Sequence, residues 1–175
     1  MKKLHKLTFI LGGASSGKSA YAEGLVVSTG RPRVYIATAQ AFDAEMRQKI
    51  AAHVDQRGDG WTTIEAPFDP AAALIVQDSA HVVLLDCVTL WLTNVLLAGR
   101  DLDAGCDGLL AALAACPCPV VVVSNEVGMG IVPDNALSRR FRAAQGRINR
   151  KLAAQADTVV AVMAGLPLAL KGDLP

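Results

Sequence analysis

Short apolar runs alternate with helix-patterned stretches along this chain. Leu7-Thr8-Phe9-Ile10-Leu11, Arg33-Val34-Tyr35-Ile36-Ala37, Val82-Val83-Leu84-Leu85-Asp86, Val120-Val121-Val122-Val123-Ser124 and Thr158 to Met163 are nearly continuous in their hydrophobicity. Such runs suit strands covered on both faces, because alternation is needed only where one face meets water. Trp61-Thr62-Thr63-Ile64 is a weaker strand pattern. Between them, Ser19 to Ser28, Pro70 to Gln77, Leu90 to Ala98, Leu109 to Ala115 and Asn135 to Ala156 read as helices. A further helix is expected from Asp43, a capping residue, to about Val54, with Met46, Ile50 and Val54 at i, i+4, i+8. Leu137, Phe141 and Ile148 should face inward on the longest helix. Gln56 to Gly60 and Gly99 to Gly105 read as loops, Pro117 stops the Leu109–Ala115 helix, and Thr158 to Met163 is the last strand. Strands alternating with helices predict an α/β fold, a mostly parallel sheet with helices on both faces. Without internal repeats or low-complexity linkers, residues 1–175 read as one domain.

Composition narrows the class. With 52% apolar and 19% charged residues, the chain is not disordered, collagenous or a coiled coil. Lys and Arg number 17 against 16 Asp and Glu, which lacks the basic excess of a nucleic-acid binder. Cys87, Cys106, Cys116 and Cys118 include a C-x-C pair but no zinc set, so they read as reduced thiols of a cytosolic protein. The lysines at the N-terminus resemble the start of a signal peptide, but the apolar stretch from Leu7 ends at Gly12-Gly13, too short for a signal core. The longest apolar stretch, Val159 to Leu170, is broken by Gly165 and Pro167 and falls short of a membrane span. A cytoplasmic protein without transmembrane segments or nucleic-acid partners is expected.

Chemistry enters at Gly12-Gly13-Ala14-Ser15-Ser16-Gly17-Lys18-Ser19, which fits G-x-x-x-x-G-K-[ST] between the first strand and the first helix. Glycines let consecutive backbone N–H groups turn toward one anion, and the helix N-terminus adds partial positive charge. Lys18 would reach the β- and γ-phosphates and the Ser19 hydroxyl would bind Mg²⁺. Asp86 ends a strand of four apolar residues, the place for a second Mg²⁺-holding acid; capping the next helix is its alternative role. No N-K-x-D guanine-reading element is present and the chain is short for a motor. A kinase-like transferase is therefore the first choice.

Two further stretches stand out. His53 lies three residues after Ile50 and seven after Met46, near the apolar face of its helix, where a structural role is usual. Yet Lys49 and Arg57 lie one turn on either side, and cations lower an imidazole's pKa and draw phosphate toward it, which suits a nucleophile. The second stretch, Ser124-Asn125-Glu126-Val127-Gly128-Met129-Gly130-Ile131-Val132-Pro133, follows a strand directly, where open α/β sheets build their sites. Downstream, Arg139, Arg140, Arg142 and Arg147 share one helix, either as a solvated face or as phosphate contacts for a second substrate.

These motifs together resemble the bifunctional adenosylcobinamide kinase / adenosylcobinamide-phosphate guanylyltransferase family. The phosphate loop, Tyr35-Ile36-Ala37-Thr38, the stretch from Met46 through His53 and Arg57 to Glu65, the Asn125–Pro133 string, Phe141-Arg142 with Gly146-Arg147-Ile148-Asn149, and Gly165-x-Pro167 carry the resemblance in order. It implies a RecA-like sheet, a homotrimer, and two reactions. Adenosylcobinamide is phosphorylated with ATP or GTP; then a histidine takes GMP from GTP and passes it to adenosylcobinamide phosphate. The nucleophile falls on His53. Nucleotide contacts fall on Gly12, Gly13, Ala14, Ser15, Ser16, Gly17, Lys18 and Ser19, on Ala37, Thr38 and Ala39, on Val54, Asp55, Gln56 and Arg57, and on Glu65 and Asp86. Where the family often has Arg-Pro, this chain has Arg57-Gly58, and some members have Glu in place of Asp86.

Overall fold

In the computed structural model, which describes residues 4–41, 44, 48, 51 and 57–175, the apolar runs all become strands. Strand β1 (Leu7–Gly12) leads through a glycine turn into helix α1 (Lys18–Ser28), followed by β2 (Arg33–Ala37) and β3 (Trp61–Glu65). Helix α2 (Pro70–Ile75), strand β4 (Val82–Asp86), helices α3 (Val88–Leu97) and α4 (Leu102–Ala115), strand β5 (Val120–Asn125), helix α5 (Ala136–Gln155) and the hairpin β6 (Thr158–Met163) and β7 (Leu166–Lys171) complete the order. Most of the expected 43–54 helix, with His53, Val54, Asp55 and Gln56, lies outside the described residues.

The strands form one sheet ordered β3-β2-β4-β5-β1-β6-β7. All neighbours are parallel except β6 and β7. Side chains alternate across it and both faces are apolar, which is why the strand sequences read as continuous hydrophobic runs. Phe9, Leu85 and Val122 pack with Trp91, Leu109, Ile148 and Leu152 under the helices that follow β3. Ile10, Leu84 and Val123 face the other way, onto Ala22 and Val26 of α1. Register then aligns the chain's chemistry at one end. Gly12 pairs with Asn125, and Ala37 pairs with both Glu65 and Asp86.

Three expectations are corrected. The stretch from Gly99 to Gly105 is a loop only up to Asp101. Its carboxylate accepts the Asp103 and Ala104 amides, both at 3.0 Å, and caps a helix that begins at Leu102. Glycine is tolerated within that helix because Gly105 lies against the Trp91 ring, where a Cβ would come within 3.3 Å. Leu137 points outward, 51% exposed. It lies in the first turn of α5, and the buried stripe runs instead through Ala144, Gln145, Ile148 and Leu152. Finally, Met163 does not end the sheet. Ala164 (φ 51°) and Gly165 (φ 78°) make a two-residue turn into β7, and Pro167 is accommodated because β7 is an edge strand.

Candidate active site

The phosphate loop is shaped by what packs behind it. A Cβ on Gly12 would lie 2.5 Å from both the Ser16 hydroxyl and the Val162 carbonyl, so only glycine fits there. Gly17 caps α1 in the left-handed conformation at φ 89°. Behind the loop, the Gly165 amide of the β6–β7 turn donates to the Ser16 carbonyl at 2.8 Å, fastening the loop to the hairpin. Lys18 Nζ donates to Gly13 O at 3.1 Å, laying its ammonium across the loop mouth. Gly13, Ala14 and Ser15 are exposed, and Ser19 lies half-buried in the first turn of α1.

Two acidic groups lie on the elements next to the loop, one at the end of β4 and one on α1. Asp86 ends β4, and the Tyr35 hydroxyl donates to its Oδ2 at 3.1 Å. Tyr35 is in turn covered by the Arg57 guanidinium, 3.5 Å from its ring centroid. Burial, reinforced by the Asp86 charge, pushes the Tyr35 phenol above its ordinary value, so it stays a donor. Glu23 on α1 is buried beside them. Burial and then the Asp86 charge raise its carboxyl from 4.5 to about 7, while Arg57 opposes the shift. The Thr38 side chain is fully buried. It donates to Cys87 O at 2.7 Å and accepts the Cys87 amide at 2.8 Å, locking the ends of β2 and β4 together. Ala37 and Ala39 are half-buried, and Glu65 is exposed in the same row of strand ends. Gly58, where the family often has proline, adopts φ 67°, which a proline ring forbids.

The oxygen donors fit a hard cation. A Ser hydroxyl at the helix start and an Asp at a strand end suit Mg²⁺, and the Oε1 of Glu23 nearby has no hydrogen-bond partner. Among the described residues no group of three or more His, Cys, Asp or Glu forms a self-sufficient metal cage. A Mg²⁺ completed by nucleotide phosphates requires none.

Beyond β5 the chain forms the exposed Glu126–Pro133 loop. Its carbonyls are gripped from α5: Arg142 donates to Gly128 O and to Ile131 O, and Arg139 to Pro133 O and Asp134 O. Glu126 accepts the Gly128 amide, so one of its oxygens is engaged within the loop. Between α5 and the sheet runs a groove of about 730 Å³. Phe9, Leu11, Val159 and Leu170 supply its apolar surface, and Arg139, Arg142, Arg147 and Arg150 face it against the single carboxylate of Glu126. The groove adjoins the loop root, because Glu126 N donates to Gly12 O at 3.0 Å.

A model of the family described as cobinamide kinase / cobinamide phosphate guanyltransferase matches residues 8–170. The chain belongs to that family. It is 44% identical over 167 residues to the bifunctional adenosylcobalamin biosynthesis protein CobP of Pseudomonas aeruginosa, covering 94% of this chain and 96% of that one. It is 41% identical to CobU of Salmonella typhimurium, covering 94% and 99%. As a family member, the chain is an enzyme of cobalamin biosynthesis with kinase and guanylyltransferase activities. Its sheet is RecA-like. It resembles the RadB recombinase at a TM-score of 0.53 and 16% identity (89% of this chain, 73% of that one). It also resembles the flagellar accessory protein FlaH of Methanocaldococcus jannaschii at 0.52 and 13% (96% and 79%).

The structure adds Gln145, which the sequence does not single out, and gives Asn149 a structural part. Gln145 Nε2 donates to Ser124 Oγ at 2.8 Å and to Asn149 Oδ1 at 2.9 Å, and Asn149 Nδ2 donates to Asn125 O at 3.0 Å. This buried network fixes the end of β5 to α5. Its signal was two amides four residues apart within the apolar stripe of Ile148 and Leu152. Glu23 was missed as a lone acid within the first helix, and Arg150 because it sits among several cations of one helix with nothing in the spacing to mark it.

Proposed function

We propose that the chain phosphorylates adenosylcobinamide with ATP or GTP, then carries GMP from GTP on His53 to adenosylcobinamide phosphate. The observation that supports this most is the phosphate loop, clamped by the β6–β7 turn, with Lys18 across its mouth and Asp86 and Glu65 in the row of strand ends beside it. Gly12 to Ser19 would hold the phosphates, and Ala37 to Ala39, Val54 to Arg57 and Glu65 the remainder of the nucleotide. Ser19 and Asp86 would hold Mg²⁺, which supplies charge neutralisation at the transferring phosphates.

In the kinase step Lys18 offsets charge on the γ-phosphate as the acceptor hydroxyl oxygen bonds to phosphorus and the nucleoside diphosphate leaves. In the second step an imidazole nitrogen of His53 bonds to the α-phosphorus of GTP as the bond to pyrophosphate breaks. A phosphate oxygen of the acceptor then displaces the histidine. Splitting one displacement into two is what a covalent carrier contributes. The arginine-bearing groove beside Gly12 is the acceptor's place: an apolar surface for the corrinoid and an excess of cations for its phosphate arm. The active form is a homotrimer in the cytoplasm. Among the described residues no helix is long and apolar enough to cross a membrane.

The test is intact-protein mass after incubation with GTP and Mg²⁺, with ATP and His53→Ala as controls. The expected result is an acid-labile GMP adduct with GTP alone, absent in His53→Ala. A protein that binds GTP but never acquires the adduct overturns the carrier role and leaves a plain kinase.

A further inference from the structure

Glu23 has no assigned role in either reaction, yet its placement demands one. Only 8% of its surface is exposed, and its Oε1, fully buried, has no hydrogen-bond partner. A buried carboxylate oxygen left without a donor is costly, and proteins retain one where something absent completes it. Glu23 follows Ser19 by four residues on α1, so both lie on one helix face. That face packs toward β4, where Asp86 stands close enough to perturb the Glu23 carboxyl. Arg57 offsets part of this negative charge but is also spread over the Tyr35 ring. Glu23 thus shares a helix face with Ser19, lies within reach of the Asp86 charge, and retains an unused acceptor.

We infer that Glu23 is a positioning residue of the divalent-cation site, its carboxylate accepting hydrogen bonds from waters that accompany Mg²⁺ at Ser19 and Asp86. Mg²⁺ keeps several of its waters when it binds protein and phosphate, and those waters need acceptors. Outer carboxylates of this kind orient the ion and strengthen its binding. This rests on the proposed role of Ser19 and Asp86, and Glu23 acts through the ion's waters rather than on the reacting atoms.

The experiment is GTP binding to the full chain, by calorimetry, with Mg²⁺ and with EDTA, for wild type and Glu23→Gln. The amide keeps the shape of the side chain and removes its charge. Wild type is expected to bind GTP more tightly with Mg²⁺. Glu23→Gln should bind as wild type does in EDTA but require about tenfold more Mg²⁺ for the same tightening. Titrating Mn²⁺ into the GTP complex, followed by electron paramagnetic resonance, should show the same loss without any turnover. If Glu23→Gln does not fold, Glu23→Asp is measured instead, and an unchanged Mg²⁺ requirement in it counts against the inference. If both variants respond to Mg²⁺ as wild type does, or weaken GTP equally in EDTA, Glu23 is structural and the inference falls. If wild-type binding itself ignores Mg²⁺, the roles of Ser19 and Asp86 fall first, which separates the two failures.

Discussion

Gly12 and Gly13 are adjacent glycines of one motif with different physical reasons to be there. Around Gly12 a side chain would meet the Val162 carbonyl, a backbone atom that cannot swing away, and the Ser16 hydroxyl. Around Gly13 nothing lies within 4 Å of where a Cβ would stand. Gly12→Ala should therefore cost about 1–3 kcal/mol by overpacking, a fall in Tm of about 3–10 °C, and weaken GTP binding as the loop shifts. Gly13→Ala should keep the wild-type Tm, and any loss of GTP affinity in it reports crowding of the phosphates themselves. Thermal melts of the two variants with and without GTP check this. Equal Tm losses would mean that the loop is not pinned from behind. The motif was legible as a sequence because spacing alone defines it. The reason for its first glycine was not, because Val162 comes from a strand 150 residues away.

At the scale of elements, the five inner strands were readable because both faces of the sheet are covered there, so nearly every position carries the same apolar signal. Helix starts were read less well. Leu102 begins α4 seven residues before the expected start because Asp101 supplies the cap, and Gly105 disguised the first turns as loop. Strand β7 was hidden by Gly165 and Pro167, residues that break a helix or a central strand but suit a hairpin turn and an edge. That hairpin then fastens the phosphate loop, so a stretch that looked peripheral supports the site. The Glu126–Pro133 loop depends on a neighbouring element in the same way. With Met129 and Ile131 almost wholly exposed, it has little core of its own and is held by Arg142 through the Gly128 and Ile131 carbonyls. Arg142→Ala should release it, raising KM for adenosylcobinamide phosphate about tenfold, or ~1.4 kcal/mol, with Kd for GTP unchanged. Arg142→Lys should not rescue it, since one ammonium lacks the planar fork that spans two carbonyls. Full activity in Arg142→Lys would show that only charge matters there.

The whole molecule places its two kinds of surface asymmetrically. One end of the sheet gathers the nucleotide chemistry, and one side edge is left apolar. Met163, Leu166, Leu168 and Leu170 are each more than half exposed, and paired register across β6 and β7 sets Met163 opposite Leu166 and Ala161 opposite Leu168 on one face. That face is continuous with the arginine groove, where Leu170 and Val159 both line the wall. An edge strand with unpaired backbone and a row of leucines invites association unless something covers it. A subunit contact there would bury the leucines and border the acceptor groove, so assembly and corrinoid binding would share one surface. Leu168→Glu places a charge in the middle of that row without touching the phosphate loop or the helices of the core. Light scattering should then show the proposed trimer replaced by monomers, with GTP affinity retained and transfer to adenosylcobinamide phosphate impaired. A Leu168→Glu chain that remains trimeric would move the contact elsewhere on the molecule and free this edge to serve the corrinoid alone.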